Sequence, residues 1–307
     1  MFIKVLVLYN TMETKEILCP KCNSKEIIKR GLIKTENRDS TQRYGCKNCN
    51  NRFVLDNPFY GMKNNQLMIT QCTDLYYSGM SFRKIADHLK RFFPRGVNHS
   101  TIYRWIMKYV GVMANFTDKQ KTQLGQELEC DEVEYHRLGK KNWFVESIDT
   151  KTRYITYSKY IEERNTKELI KFYKKVKVRS RGQTKVICTD GLVSYPRVLR
   201  KTWGLNKHAT RNPKVIHKIT IGSSGSFNYK IERFHNTLRE RTKVMRGFHG
   251  SVNSAQTLLK GFEIYYNWIR NHQSLEGQTP SEIACPNVQI ENKNGWLELI
   301  QRGYNGK

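Results

Sequence analysis

The chain has 307 residues, 38% of them hydrophobic and 26% charged, with 54 Lys and Arg against 27 Asp and Glu for a formal net charge of +27. That length holds one large domain or two to three smaller ones, and the positive surplus calls for a polyanionic partner. An anionic membrane fits less well, because no segment pairs a basic face with a clean apolar one, and no run approaches the roughly 18 apolar residues of a membrane span.

Residues 1–10 (MFIKVLVLYN) are apolar but short and lack a small-residue cleavage site, so they read as a strand or an upstream extension and not as a signal peptide. Cys19, Cys22, Cys46 and Cys49 then form two Cys-x-x-Cys pairs separated by 23 residues. Each pair presents two thiolates from one tight turn, and the two together complete a tetrahedron, the pattern of a zinc ribbon. Four Cys ligands leave no open position, so one structural Zn²⁺ is expected. Cys72, Cys130, Cys188 and Cys285 lie in apolar settings and read as reduced core thiols of a cytosolic protein.

Residues 65–120 carry helical patterns. One covers NQLMITQCTDLYYSG; a second, FRKIADHLKRFF, is capped by Ser81 and stops before Pro94; a third follows Asn98 as HSTIYRWIMKYVGVMANF. Helix, short helix, turn and helix is the helix-turn-helix grammar, with the third as recognition helix. Ile102, Trp105, Ile106 and Tyr109 would pack inward, leaving His99, Thr101, Arg104 and Lys108 outward as candidate DNA contacts. An ordinary three-helix core is the competing reading.

From residue 126 the pattern changes to strands. ELECDEVEYH, NWFVESIDT and RYITYSKYI read as an antiparallel meander, followed by the helix ERNTKELIKFYKKV, the strand KVICTDG and the helix VSYPRVLRKTWG. Residues 211–228 read as a mobile basic loop, ahead of the amphipathic helix NYKIERFHNTLRERTK. In that last helix Ile231, Phe234 and Leu238 make the apolar stripe, and Glu232, His235 and Arg239 share a face at i, i+3 and i+7. Three strands, a crossover helix and another strand match an RNase H-like core.

Asp131 on the first strand, Asp190 at the end of the fourth and Glu232 on the helix are separated by 59 and 42 residues, so only tertiary structure could unite them. Converging carboxylates in so basic a chain make sense as a seat for divalent cations held against a polyanion. Glu129, Glu132, Glu134, Glu146 and Asp149 compete for the role; Glu129 and Asp131 even share strand parity. Asp190 could instead be a turn aspartate. The runs KKVKVRSRGQTK (174–185) and RNPKVIHK (211–218) read as phosphate-tracking segments, with a solvated charged loop as the default alternative; Trp203, Tyr229 and Trp268 read as core aromatics or base-stacking platforms.

The strand Asp131-Glu-Val-Glu-Tyr, the strand end Thr189-Asp190-Gly191, the helix Ile231-Glu232-Arg-Phe-His-Asn-Thr-Leu-Arg239 and the tail from Tyr266-Asn-Trp-Ile-Arg270 through His272, Leu275 and Gly277 to Thr279-Pro280 resemble the DDE transposases of prokaryotic insertion sequences, close to insertion-sequence family six with its integrase-type catalytic domain. The resemblance covers Cys19 to about residue 283. Two departures stand out: the interval from Asp190 to Glu232 is longer than in many relatives, and many bacterial relatives lack the ribbon. Taken with the ribbon and the helix-turn-helix read from the residues, the resemblance implies an α/β chain: a zinc ribbon with N-terminal extension (1–60), a helix-turn-helix DNA-binding domain (61–122), an RNase H-like catalytic domain (123–285) and a C-terminal tail (286–307). It further implies that Asp131, Asp190 and Glu232 bind two Mg²⁺, for which Mn²⁺ can substitute, that Arg239 holds a phosphate beside them, and that the protein cleaves and joins double-stranded DNA at element ends and target as a homodimer or larger assembly, in the cytoplasm at the nucleoid. The alternatives are a non-catalytic DNA-binding regulator derived from a transposase and a metal-dependent nuclease.

Overall fold

The computed structural model describes residues 16–306 apart from 36–37, 56, 95, 207–208, 221–227 and 246, so the apolar N-terminal ten lie outside the described residues. The chain divides into two compact units, residues 1–66 and 67–307.

The first unit is a three-stranded antiparallel sheet, β1 (Ile27–Thr35), β2 (Arg38–Cys46) and β3 (Arg52–Val54), in that order. Cys19 and Cys22 lie in the turn before β1, while Cys46 ends β2 and Cys49 lies in the turn to β3. Asn23 and Asn50, the residues directly after each Cys pair, both have φ of 54°. This left-handed conformation, which Asn tolerates better than most residues, curls each turn back on its own cysteines.

The second unit opens with α1 (Gln66–Tyr77), α2 (Phe82–Phe92) and α3 (His99–Thr117). The starts follow the capping chemistry of the sequence: Ser81 accepts from the amide of Lys84, and Asn98 from that of Ser100. Ile102, Trp105, Ile106 and Tyr109 are all buried in α3.

A five-stranded sheet follows, built from β4 (Glu127–Arg137), β5 (Lys140–Asp149), β6 (Ile155–Ile161), β7 (Val186–Thr189) and β10 (Ile216–Ile219) in the order β10-β7-β4-β5-β6. The first three strands are antiparallel neighbours, and β7 runs parallel to β4 with β10 parallel to β7. Three antiparallel strands with two parallel additions on the side of the first strand is the RNase H-like sheet. Between β6 and β7 runs α4 (Thr166–Arg179), and α5 (Tyr195–Trp203) follows β7; a two-stranded excursion, β8 (Leu205–Asn206) with β9 (Ala209–Pro213), leads to β10. The segment 211–228, expected as a loop, thus contains the edge strand β10. Its IHKI sequence hid it, because Ile216 and Ile219 stay exposed and no apolar run marks the strand.

Strand parity assigns the two faces of this sheet. Leu128 and Cys130 point into a core with Leu169, Phe172, Tyr173 and Val176 of α4 and Val198 and Leu199 of α5. The odd-numbered residues of β4 face α6 (Tyr229–Thr242), to which Tyr135 is joined by a hydroxyl contact with Thr242. Ile231, Phe234 and Leu238 dock that helix, all nearly fully buried. The same face carries α7 (Val252–Ile264), continued by a π turn (Tyr265–Ile269) and the short α8 (Pro280–Ala284).

The last helix, α9 (Gly295–Asn305), packs against α3 inside the unit. Contact is so close that a Cβ on Gly303 would lie 2.1 Å from the carbonyl oxygen of Val112. Residues 286–307, expected as a tail, therefore end in a helix whose Trp296, Leu299 and Ile300 are buried. Trp203 and Trp268 are likewise core residues, whereas Tyr229 is exposed.

Candidate active site and metal centre

The register of the parallel pair sets the geometry. Glu127 pairs with Val186 and Glu129 with Cys188, an offset of 59 residues, so continuing two positions beyond that last pair, one past the end of β7, brings Asp190 level with Asp131. Asp190 is held there as its Oδ1 accepts from the amide of Leu192 at 3.1 Å, and the Oδ1 of Asp131 accepts from the amide of Glu132 at 2.8 Å. The turn role foreseen for Asp190 uses one oxygen.

Glu232 arrives on α6, and Glu129 fixes that helix. The Oε2 of Glu129 accepts from the amides of Lys230 and Ile231 at 2.9 and 3.0 Å, an anion against the positive end of the helix. Glu129 is thereby committed to capping, and its cap places Glu232 on the first turn beside Asp131. Glu132 points to the opposite sheet face, where it binds Arg164 and the hydroxyl of Tyr195. Glu134 pairs with Lys141 at 3.1 Å, and Asp149 accepts from the amide and hydroxyl of Thr152. Glu129, Glu132, Glu134 and Asp149, four of the five acids that competed with Asp131, thus each have another partner.

Asp131, Asp190 and Glu232 are close enough to repel. Burial first, then the like charges of Glu132, Asp190 and Glu232, push the Asp131 carboxyl up to about 7, against the amide bond from Glu132. At neutral pH such a cluster gains from a bound cation. The three are nevertheless not drawn into a tight cage: among the described residues, only the four cysteines bring ligand atoms all within 4.8 Å of one another. Carboxylates are nonetheless the hard oxygen donors a divalent cation prefers.

Sequence spacing placed His235 on one helix face with Glu232 and Arg239, both of which are exposed. Instead its ring is buried between Asp131, 3.5 Å from Nδ1 to Oδ2, and Glu146, 3.3 Å from Nε2 to Oε2. Burial, with Arg239 nearby, pushes His235 down to about 3, and burial pushes Glu146 well above the carboxylate range. Both shifts favour the uncharged forms of the pair. Glu146 is the cross-strand partner of Asp131 on β5, and Ser158 is in turn the partner of Glu146 on β6. The sequence offered Glu146 only as one of several competing acids, and its place against His235 depends on which strand lies alongside β4. Arg239 is exposed, with its Nη1 on Asn236, and its charge acts on His235 and Glu146.

The four sulfurs of the first unit fit one tetrahedral ion. Cys19 lies 3.5 Å from Cys49 and Cys22 lies 3.5 Å from Cys46 by their sulfurs, far beyond a disulfide bond. Ligands about 2.3 Å from a central ion have edges of about 3.8 Å, which falls within the observed spread. The amide of Lys21 donates to the Cys19 sulfur at 3.4 Å.

On α3, His99, Arg104 and Lys108 are exposed and Thr101 half-buried; the guanidinium of Arg104 donates to the Thr101 hydroxyl at 3.1 Å, and the Lys108 ammonium lies 5.0 Å from the centre of the Tyr109 ring. The run 174–185 is partly the end of α4, where Arg179 pairs with Asp118, and Lys218 of the second basic run pairs with Glu127. Among the described residues no helix is long and apolar enough to cross a membrane.

Comparison with known proteins gives one family match: residues 126–273 match a family described as a DDE domain. The transposase for the insertion element IS257 in transposon Tn4003 of Staphylococcus aureus is 26% identical over 217 residues, covering 69% of this chain and 89% of that protein. The transposase of the IS431mec element of the same organism is 26% identical over 64% of this chain and 82% of its own length. An uncharacterized 48.3 kDa protein of insertion element ISM1 from Methanobrevibacter smithii is 29% identical over 110 residues, 31% of this chain, and the match spans only 27% of that protein. Among solved structures, the HTLV-2 integrase catalytic core domain in complex with magnesium aligns over 52% of this chain and 96% of its own length with 12% identity and a TM-score of 0.37.

Proposed function

We propose, from the premise that this chain is an insertion-sequence transposase with a DDE domain over residues 126–273, that it binds the ends of its own element and carries out both cleavage and strand transfer at one carboxylate site. The observation that carries the reading is the shared register of Asp131 and Asp190, with Glu232 brought to them by the Glu129-capped helix.

Asp131, Asp190 and Glu232 would hold two Mg²⁺, with Mn²⁺ able to substitute; when bound, the ions supply charge that activates an attacking oxygen and steadies the leaving one in an in-line displacement at phosphorus. The residues do the rest. Glu129 fixes the angle of the helix bearing Glu232, and buried His235 backs Asp131. Arg239, exposed one turn beyond His235, is placed to hold a DNA phosphate. The exposed edge of α3, with His99, Thr101, Arg104 and Lys108, is the surface proposed to read element ends, and the four cysteines are proposed to hold one structural Zn²⁺. Two ends must be held together in such a reaction, so at least a dimer assembles on DNA, and the protein works where the chromosome lies, in the cytoplasm.

The test is incubation of the purified protein with duplex taken from the DNA flanking its reading frame, with Mg²⁺ or Mn²⁺. New 3′ ends at the element boundary and joined products support the proposal. Binding without cleavage favours a regulator, and cleavage without joining favours a nuclease.

A further inference from the structure

The face of the sheet away from α6 and α7 carries a basic groove that the reading above leaves unused. Lys167, Lys171 and Lys174 follow one another at i, i+4 and i+7 along α4, and Arg197 and Lys201 at i and i+4 along α5; all five are exposed, and together they line a groove of about 430 Å³. The helices are oriented this way because their apolar stripes, Leu169, Phe172 and Val176 on one and Val198 and Leu199 on the other, are buried under them. Among the described residues only Lys171 of the five has an ion-pair partner, Glu168 at 2.6 Å.

Four cations without an acid, spread over about 10 Å of helix, repel one another unless a polyanion lies along them. A solvated surface accounts for scattered lysines. It does not account for two helices whose charged rows converge on one valley. The span matches about three phosphates of one strand at 3.4 Å of axial rise each.

Position narrows the occupant. Both β6 and β7 run parallel to β4, so α4 and α5 start at the same end of the sheet, where Asp190 and Asp131 stand. Arg164, two residues before α4, and Tyr195, the first residue of α5, both bind Glu132, the neighbour of Asp131. The mouth of the groove is therefore the carboxylate edge. Helix α3 packs instead with α7 and α9, on the other side of the sheet.

We infer that the α4–α5 groove is a phosphate track for a second DNA segment, the target, which reaches the carboxylates from the face opposite the end-binding helices. This rests on the transposase reading.

The test replaces the four unpaired cations together (Lys167→Gln, Lys174→Gln, Arg197→Gln, Lys201→Gln) in the full chain, with the two pairs made separately should the fourfold variant melt early. Two readouts are needed: the salt dependence of binding to a random-sequence duplex, and cleavage of end DNA against joining of pre-cleaved ends to a supercoiled plasmid. The slope of log affinity on log salt should shrink by three to four, about 0.9 for each cation removed. Joining should fall at least tenfold while end cleavage stays within twofold. An unchanged slope, or unchanged joining, overturns the groove; cleavage and joining falling in step overturns its assignment to target. If the unaltered chain neither cleaves nor joins, the transposase reading fails, and the salt slope alone then decides the groove.

Discussion

The Nε2 of His235 lies 3.3 Å from the Oε2 of Glu146, and both side chains are buried behind Asp131. An imidazole wedged between a buried acid and a candidate metal ligand fixes where that ligand points, as supporting groups around metal sites do. His235→Ala should weaken Mn²⁺ binding about 10- to 100-fold, read by the free-ion signal in electron paramagnetic resonance. It should also cost about 1–3 kcal/mol of stability by leaving Glu146 without a partner. Unchanged cation affinity would reduce His235 to a packing residue.

Asp190→Asn keeps the shape of the side chain and its bond to the Leu192 amide while removing an anionic ligand. DNA binding should stay within about twofold and cleavage should fall by about three orders of magnitude or more, the scale of losing a principal charge at a phosphoryl-transfer site. Substantial residual cleavage rejects Asp190 as a ligand.

A second charged cluster ties the end of α3 to α4 and α7. The Oδ1 of Asp118, at the end of α3, meets Lys260 of α7 at 2.6 Å and Arg179 of α4 at 2.5 Å. Burial alone would raise the Asp118 carboxyl, but these two cations outweigh it and hold it below its ordinary value. A carboxyl depressed on folding stabilises above its unfolded pKa, near 3.9, and that contribution fades as pH drops through the lower folded value. With the carboxylate 40% exposed and screened by solvent, Asp118→Asn should cost about 1 kcal/mol at pH 7, and its melting curve should approach that of the unaltered protein below about pH 4. A gap that persists undiminished in acid would assign the loss to packing instead.

Gly303→Ala tests the seat of α9. The added carbon would fall 2.1 Å from the Val112 carbonyl oxygen, which belongs to backbone and cannot swing aside. Overpacking of this kind costs about 1–3 kcal/mol, to be read from urea unfolding. A neutral result would mean that α9 is not held against α3.

Cys22→Ser should eliminate one equivalent of bound zinc per chain and unfold the first unit, since a structural ion supplies folding energy directly. Elemental analysis and the hydrogen-exchange protection of β1–β3 read the two effects, and retained zinc would refute the ribbon.

Much of the fold was legible because its signals are local. Ser81 and Asn98 announce helix starts through side chains that reach only two or three residues ahead, and the buried stripe of α3 follows from a period of 3.6 residues. β10 escaped notice because an exposed edge strand needs no apolar run, only a neighbour with free backbone groups. α7 and α9 carried no motif, since their role is to cover what other elements leave bare.

By itself the sequence pointed to a polyanionic partner and determined the cysteine quartet, the inward side of α3 and a short set of candidate acids, all through charge, ligand spacing and periodicity. Only the tertiary structure decided which acids share space. Parity places Glu129 and Asp131 on one face of β4, yet what separates them is a helix 100 residues later, whose amides claim one carboxylate and leave the other facing Asp190 and His235. Long-range pairing chose between them, and no local pattern encodes that choice.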